Sequence, residues 1–165
     1  IKGYHISADL LERSLTINPT QLNATDSNEY SYIAKTVQNS PEYKQLITGY
    51  ITDAEKRGRT EFQRFLTNIA KQSETERPLV FEIGDLAKAF HGTEATKILA
   101  SKQPNGTWDV STAITDTYNF DFQSYRNDPI LNLGNNAALI SQKNQAISPY
   151  KVVINFSQNI KLNTK

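Results

Sequence analysis

The sequence predicts an α+β fold: a helical N-terminal half followed by a small antiparallel sheet with one or two short helices packed on it. Three features carry that expectation. Apolar residues of the first half recur at helical spacing in three stripes. Asn105-Gly106 sits between two alternating runs, and Tyr150, Val152, Ile154 and Phe156 alternate again near the C-terminus. The chain has 165 residues, enough for one domain over 1–165 that buries roughly two-thirds of its unfolded surface without disulfides or a structural metal. A mainly helical segment, 1–77, is expected to join a mixed segment, 78–165, at Arg77-Pro78.

Asp26 and Glu29 have the spacing of a capping box, and Tyr30, Ile33, Ala34 and Val37 follow at helical intervals. This predicts a first helix over Asn28 to Gln38. Ser40-Pro41-Glu42 is an N-cap followed by proline at the first helical position. The stripe Tyr43, Leu46, Ile47, Tyr50 and Ile51 then defines a second helix that ends before Gly58. Phe62, Phe65, Leu66, Ile69 and Ala70 give a third helical stripe, which fades in Lys71 to Arg77. All three stripes are read as core faces.

Leu79 to Ile83 is a short strand candidate, after which Gly84-Asp85 opens a helix that Gly92 closes. Thr96 to Gln103 and Thr107 to Tyr118 flank Pro104-Asn105-Gly106 and read as a hairpin. In its second arm Trp108, Val110, Thr112, Ile114, Asp116 and Tyr118 share one face, so an apolar stripe finishes in a carboxylate and a phenol. Leu133 to Ile147 holds a short helix around Ala137 to Ile140, entered through Gly134-Asn135. The last strand follows, and the polar tail from Ser157 is expected to fray.

Composition excludes several function classes. Without cysteine there is no zinc ribbon, iron–sulfur cluster, thiol nucleophile or disulfide scaffold, and with two histidines no His-rich metal site. Neither a GxSxG elbow, a Walker-type GK[ST] nor a GxGxxG occurs, and no haem, zinc, iron–sulfur or nucleotide cofactor is expected. The balance of 18 basic and 17 acidic residues offers no electrostatic reason for nucleic-acid or anionic-membrane binding. No run reaches the ~18 apolar residues of a membrane span. Lys2, His5, Asp9, Glu12 and Arg13 interrupt Ile1 to Leu15, which is unlike a signal peptide. With no methionine, Ile1 reads as an internal position and the chain as a soluble, monomeric module of a longer polypeptide.

Asp116 to Asp128 gathers three carboxylates, three amides, two phenols and an arginine at the end of a strand. Side chains beyond the sheet's hydrogen bonds are free to converge on a ligand. The carboxylates of Asp116 and Asp121 suit a hard cation such as magnesium, and Arg126 suits bidentate contact with phosphate. The structural alternative is an Asx-rich loop that caps its own turns. His91, at a predicted helix end, suits the negative end of the helix dipole as well as a site.

The spacing Asp116-x-Tyr118, seven residues, Arg126, after a Gly106-x-Trp108 strand and with the run Tyr118-Asn119-Phe120-Asp121, resembles the activity domain of colicin M-type bacteriocins. In that family an Asp-x-Tyr-Asp segment is followed, after five residues, by His-Arg. The resemblance spans Gly106 to Phe156, about a third of the chain. It implies a secreted toxin delivered to a target bacterium, a cognate immunity protein, and magnesium-dependent cleavage in the periplasm of lipid II, the lipid-linked peptidoglycan precursor, between undecaprenol and pyrophosphate. By position it implies catalytic roles for Asp116, Tyr118 and Arg126, with magnesium on Asp116. Asn119 replaces the second Asp and Tyr125 the His. An amide cannot act as an anion, and a phenol of pKa near ~10 is a poor base at neutral pH. Asp121, on the face that Asn119 would share in an extended strand, is placed to supply the missing carboxylate for catalysis and metal. Asn119, Tyr125, Asp128 and His91 then contact the substrate.

Two further functions compete. Tyrosine and asparagine in this run also suit a non-enzymatic module that binds a protein or glycan. An intracellular nuclease or glycohydrolase is poorly served by two histidines and a neutral charge.

Overall fold

The computed structural model describes residues 4–67, 78–90, 92–119 and 129–162, of which 129–135 by backbone alone. Along the chain run α1 (His5–Ser14), β1 (Leu22–Thr25), α2 (Ser31–Asn39), α3 (Pro41–Lys56), β2 (Glu61–Thr67), α4 (Gly84–Ala89), β3 (Ala95–Lys102), β4 (Trp108–Tyr118), α5 (Pro129–Lys143) and β5 (Tyr150–Ile160). The five strands form one sheet in the order β1-β5-β4-β3-β2, parallel between β1 and β5 and antiparallel elsewhere. The α+β class is as expected, but the sheet is mixed and draws β1 and β2 from the half expected to be helical. Arg77-Pro78 therefore does not divide helices from strands.

The β3–β4 hairpin is built as its turn requires. Gly106 takes φ 82°, a left-handed conformation open to glycine, and the Gln103 N–H donates to the Thr107 carbonyl at 2.7 Å. Along β4 every second residue from Trp108 to Tyr118 is buried. That face receives the helices. The Tyr43 hydroxyl of α3 lies 2.7 Å from the Thr112 hydroxyl, and the Trp108 indole N–H donates to Glu55 of α3 at 3.1 Å. Phe62 of β2 and Phe156 of β5 pack against Trp108 and Tyr43. On the opposite face Phe65 and Leu99 are 57% and 43% exposed.

α3 follows its sequence signals: the Ser40 hydroxyl accepts from the Tyr43 N–H at 3.2 Å, Pro41 leads the helix, and Gly58 lies beyond its end. α2 begins at Ser31 without a capping box. Asp26 accepts instead from the Ser157 N–H at 2.9 Å, and the Asn28 side-chain Oδ1 accepts from the Thr25 and Tyr30 backbone N–H groups. The third predicted helix is β2 over its described part. Phe62 and Leu66 face the core while Phe65 faces outward, and all seven residues of β2 pair with β3. Ile69 and Ala70 lie outside the described residues.

Leu79 to Ile83 is not a strand. Leu79 and Phe81 are buried alternately with exposed Val80 and Glu82, Ile83 breaks the alternation by facing solvent, and the segment makes only the isolated bridge Val80–Gly92. Its polar groups go elsewhere: the Glu82 N–H to the Glu42 carboxylate and the Leu79 carbonyl to Thr93. α4 does open at Gly84-Asp85, but it ends at Ala89, and Gly92 serves the bridge. α5 starts at Pro129 and runs through Gly134-Asn135 rather than beginning there. Nor does β5 fray at Ser157. It pairs to Ile160, and its Asn159 amide donates to Asp109 and Thr107 at 2.6 and 2.8 Å.

Candidate functional site

β4 carries Asp116 and Tyr118 to its C-terminal end on the helix-covered face, both 8% exposed. A carboxylate there loses most of its hydration, and burial pushes the Asp116 carboxyl up to about 7. The Thr117 amide, hydrogen bonding to the carboxylate, pulls it back in part. The negative charge of Glu94 raises it further, and the Glu94 amide and Lys151 ammonium oppose that rise. Asp116 is thus a carboxyl divided between its two protonation states near neutral pH. Burial likewise pushes the Tyr118 phenol up to about 12, so it keeps its proton.

The opposite face of the same strand end is polar. Lys151 stands across from Thr117 in the β4–β5 ladder. Its ammonium donates to Glu94 and to the Thr117 hydroxyl, both at 2.6 Å, while that hydroxyl donates to Glu94 at 2.5 Å. These donors hold the Glu94 carboxyl below the usual range. The strand end therefore presents a neutralised ion-pair cluster on one side and a carboxyl of shifted acidity on the other.

Tyr150 closes the helix side. Its ring lies 5.6 Å from that of Tyr118, its hydroxyl donates to the Leu10 carbonyl of α1 at 2.8 Å, and the Arg13 guanidinium sits 5.6 Å from its centroid. Burial raises the Tyr150 phenol, so it too remains a donor.

Of the residues expected at the site, the structure places Asp116 and Tyr118 together, with Asn119 exposed just past the strand end. His91, Asp121, Tyr125, Arg126 and Asp128 lie outside the described residues. Glu94, Lys151, Tyr150 and Arg13 were not expected there. A signal for Glu94 exists: counting residues outward from the Asn105-Gly106 turn brings it opposite Asp116. Among the described residues no three His, Asp or Glu side chains are grouped to hold a metal ion. Both Glu94 oxygens are taken by Thr117 and Lys151, so the described donors offer magnesium only the Asp116 carboxyl. No described helix is long and apolar enough to cross a membrane. The outer sheet face carries a groove of about 430 Å³ lined by Asp26, Lys97, Leu99, Asn155 and Ser157 among others, on the side away from Asp116.

What fold and site define is an α+β protein with a mixed five-stranded sheet and a buried carboxyl at the end of its central strand. No family model and no curated protein matches the sequence. Among solved structures it is similar to that of PaeM, a colicin M-like bacteriocin produced by Pseudomonas aeruginosa. The identity is 15% and the TM-score 0.39, over 96% of this chain and 52% of that one. The chain thus spans about half the length of that protein.

Proposed function

We propose that the chain is a bacteriocin-type toxin module that hydrolyses a phosphoester of the lipid-linked peptidoglycan precursor, with Asp116 as its general acid and base. The observation that carries this reading is the buried Asp116 carboxyl pushed to about 7 at a strand end. Such a carboxyl exchanges a proton readily at neutral pH, and positioned proton transfer contributes on the order of 10²- to 10⁴-fold in rate. Ionised Asp116 takes a proton from water as the water oxygen bonds to phosphorus. The bond from phosphorus to the polyprenol oxygen breaks, and the proton passes from Asp116 to that oxygen. Tyr118 keeps its proton and donates a hydrogen bond, while Arg126 neutralises the phosphate by bidentate contact. Asp121 is the second carboxylate, and Asn119, Tyr125, Asp128 and His91 contact the substrate. Magnesium enters as an added requirement to be tested, with Asp121 completing what Asp116 begins, and no step above runs through it. In this reading the module is secreted, works as a monomer in the periplasm of the target cell, and meets an immunity protein there.

A second reading, a protein- or glycan-binding module, draws on the open sheet face and its groove. Expression of the full chain with and without an export signal separates the two. Killing only after export, with lipid II cleaved in membrane extracts, a loss of cleavage on chelation, and no killing by Asp116→Asn or Arg126→Ala, is the expected result. Asn is chosen at 116 because the side chain is buried. Full killing by either variant, or none by the exported wild type, overturns the hydrolase reading.

A further inference from the structure

The N-terminus of α1 is not held by its own sequence. Tyr4 stands at its N-cap without a side-chain hydrogen bond, and no acidic residue lies in its first turn. The free amides are satisfied from a distant segment instead. The Asp85 carboxylate accepts from the Ile6 N–H at 2.6 Å, the Ser7 N–H at 2.9 Å and the Ser7 hydroxyl at 2.6 Å. Beside it the Lys88 ammonium lies 4.0 Å from the centroid of the Tyr4 ring. Asp85 and Lys88 both belong to α4, so one short helix grips the start of another.

The rest of α1 lies against Tyr150, at the edge of the candidate site. Its buried residues are Ile6, Leu10 and Ser14, and the Leu10 carbonyl receives the Tyr150 hydroxyl. Tyr150 in turn packs on Tyr118, so the order outward from the end of β4 is Tyr118, Tyr150, α1. A helix of ten residues does not persist alone in water, so α1 is held in place by these contacts together with those of Asp9 with the Tyr32 hydroxyl, Arg13 with Thr20 and the Ser14 carbonyl with the Ser148 N–H. The β3–β4–β5 ladders form without any contribution from it. Segments tied by few buried apolar groups open locally, below the free energy of global unfolding.

We propose that α1 is a strap latched by Asp85 across the Tyr118–Tyr150 end of the sheet, and that releasing Asp85 opens α1 while the sheet stays folded. As a control on catalysis the strap rests on the function proposed above; as a local opening it does not. Tyr118 is only 8% exposed and lies under Tyr150, so opening α1 uncovers this end of the sheet.

The test compares the full chain as wild type, Asp85→Ala and Ser7→Ala by amide hydrogen exchange and by tyrosine nitration. In Asp85→Ala, exchange over Ile6 to Leu10 rises at least tenfold and nitration of Tyr150 increases, while Ile98 and Ile114 exchange as in wild type. Ser7→Ala, which removes one of the three bonds, gives a smaller rise at the same amides, and it decides the matter if Asp85→Ala does not fold. Unchanged exchange in α1, or acceleration of Ile98 and Ile114 along with it, overturns the strap. With lipid II as the probe, faster cleavage by Asp85→Ala ties the strap to the site, and equal rates overturn that control. Cleavage by neither protein counts against the hydrolase reading, and the exchange data still decide the strap.

Discussion

Replacing Asp116 by Asn removes the titration without removing the side chain's shape, and the consequence is calculable. The carboxyl has a pKa of 3.8 when solvated and about 7 in the fold. A raised folded value means that the native state holds the proton more tightly than the unfolded chain. The stabilisation is therefore complete below about pH 4 and is lost as pH rises through 7. While the native group is protonated and the unfolded one ionised, each pH unit removes about 1.4 kcal/mol. Integrated from pH 5 to pH 8, wild type loses about 2.5 kcal/mol through this one group. Asp116→Asn cannot ionise and loses none of it, so its stability relative to wild type rises by that amount over the interval. Urea titrations at half-unit steps measure the difference, with fluorescence of Trp108, the single tryptophan, as the probe. Other titrating groups are common to both proteins and cancel. Parallel stability curves for the two proteins would refute a shifted Asp116, and with it the basis for its proton-transfer role.

Three further outcomes follow from the same contacts. Glu94→Gln removes a negative neighbour and leaves Lys151 unpaired, both of which lower the Asp116 pKa; the midpoint of the pH-dependent loss moves below 7 in the same urea series. Its own effect on stability is below about 1 kcal/mol and vanishes in 1 M salt, because the pair is exposed to solvent. Ser40→Ala removes the cap of α3 and costs about 1 kcal/mol in denaturant unfolding. Gly106→Ala costs about 1 kcal/mol through backbone conformation alone, since φ is 82° and no atom lies within 4 Å of the added carbon; a neutral result would refute the left-handed turn.

The elements that were legible in the sequence are those whose signals are local. Ser40-Pro41 announces α3 because capping and proline geometry are decided within one turn, and Asn105-Gly106 announces the hairpin for the same reason. The region 61–67 was not legible, because Phe62, Phe65 and Leu66 satisfy a helical period and a strand period alike once one of them is allowed outside. What decides it is the partner: β3 offers a complete antiparallel ladder, and Phe65 is left 57% exposed to obtain it. β1 is illegible for a stronger reason. Four residues, Leu22–Thr25, carry little periodicity, and they are a strand because Val152 to Asn155 lie parallel beside them, more than a hundred residues along the chain.

The same distinction runs through the site. That Asp116 and Tyr118 share a face follows from the two-residue repeat of a strand; that this face is the buried one follows from the apolar residues it shares. The acidity of Asp116 follows from neither, since it depends on what covers the face. Glu94 lies between these cases. Extending the hairpin register puts it opposite Asp116, where a regular pleat would turn both side chains to one face, but Glu94 sits in a bend before β3 begins at Ala95 and is freed from that rule. Its carboxylate turns to the outer face, where Thr117 and Lys151 take both of its oxygens, while Asp116 turns inward. Two neighbouring carboxyl groups are thereby driven in opposite directions, Glu94 below its ordinary range and Asp116 above it. Divergent acidities in neighbouring carboxyls mark the raised one as the candidate for proton transfer. Here the divergence has two sources: burial takes Asp116 out of water, while Lys151 and Thr117 hold Glu94 ionised at the outer face.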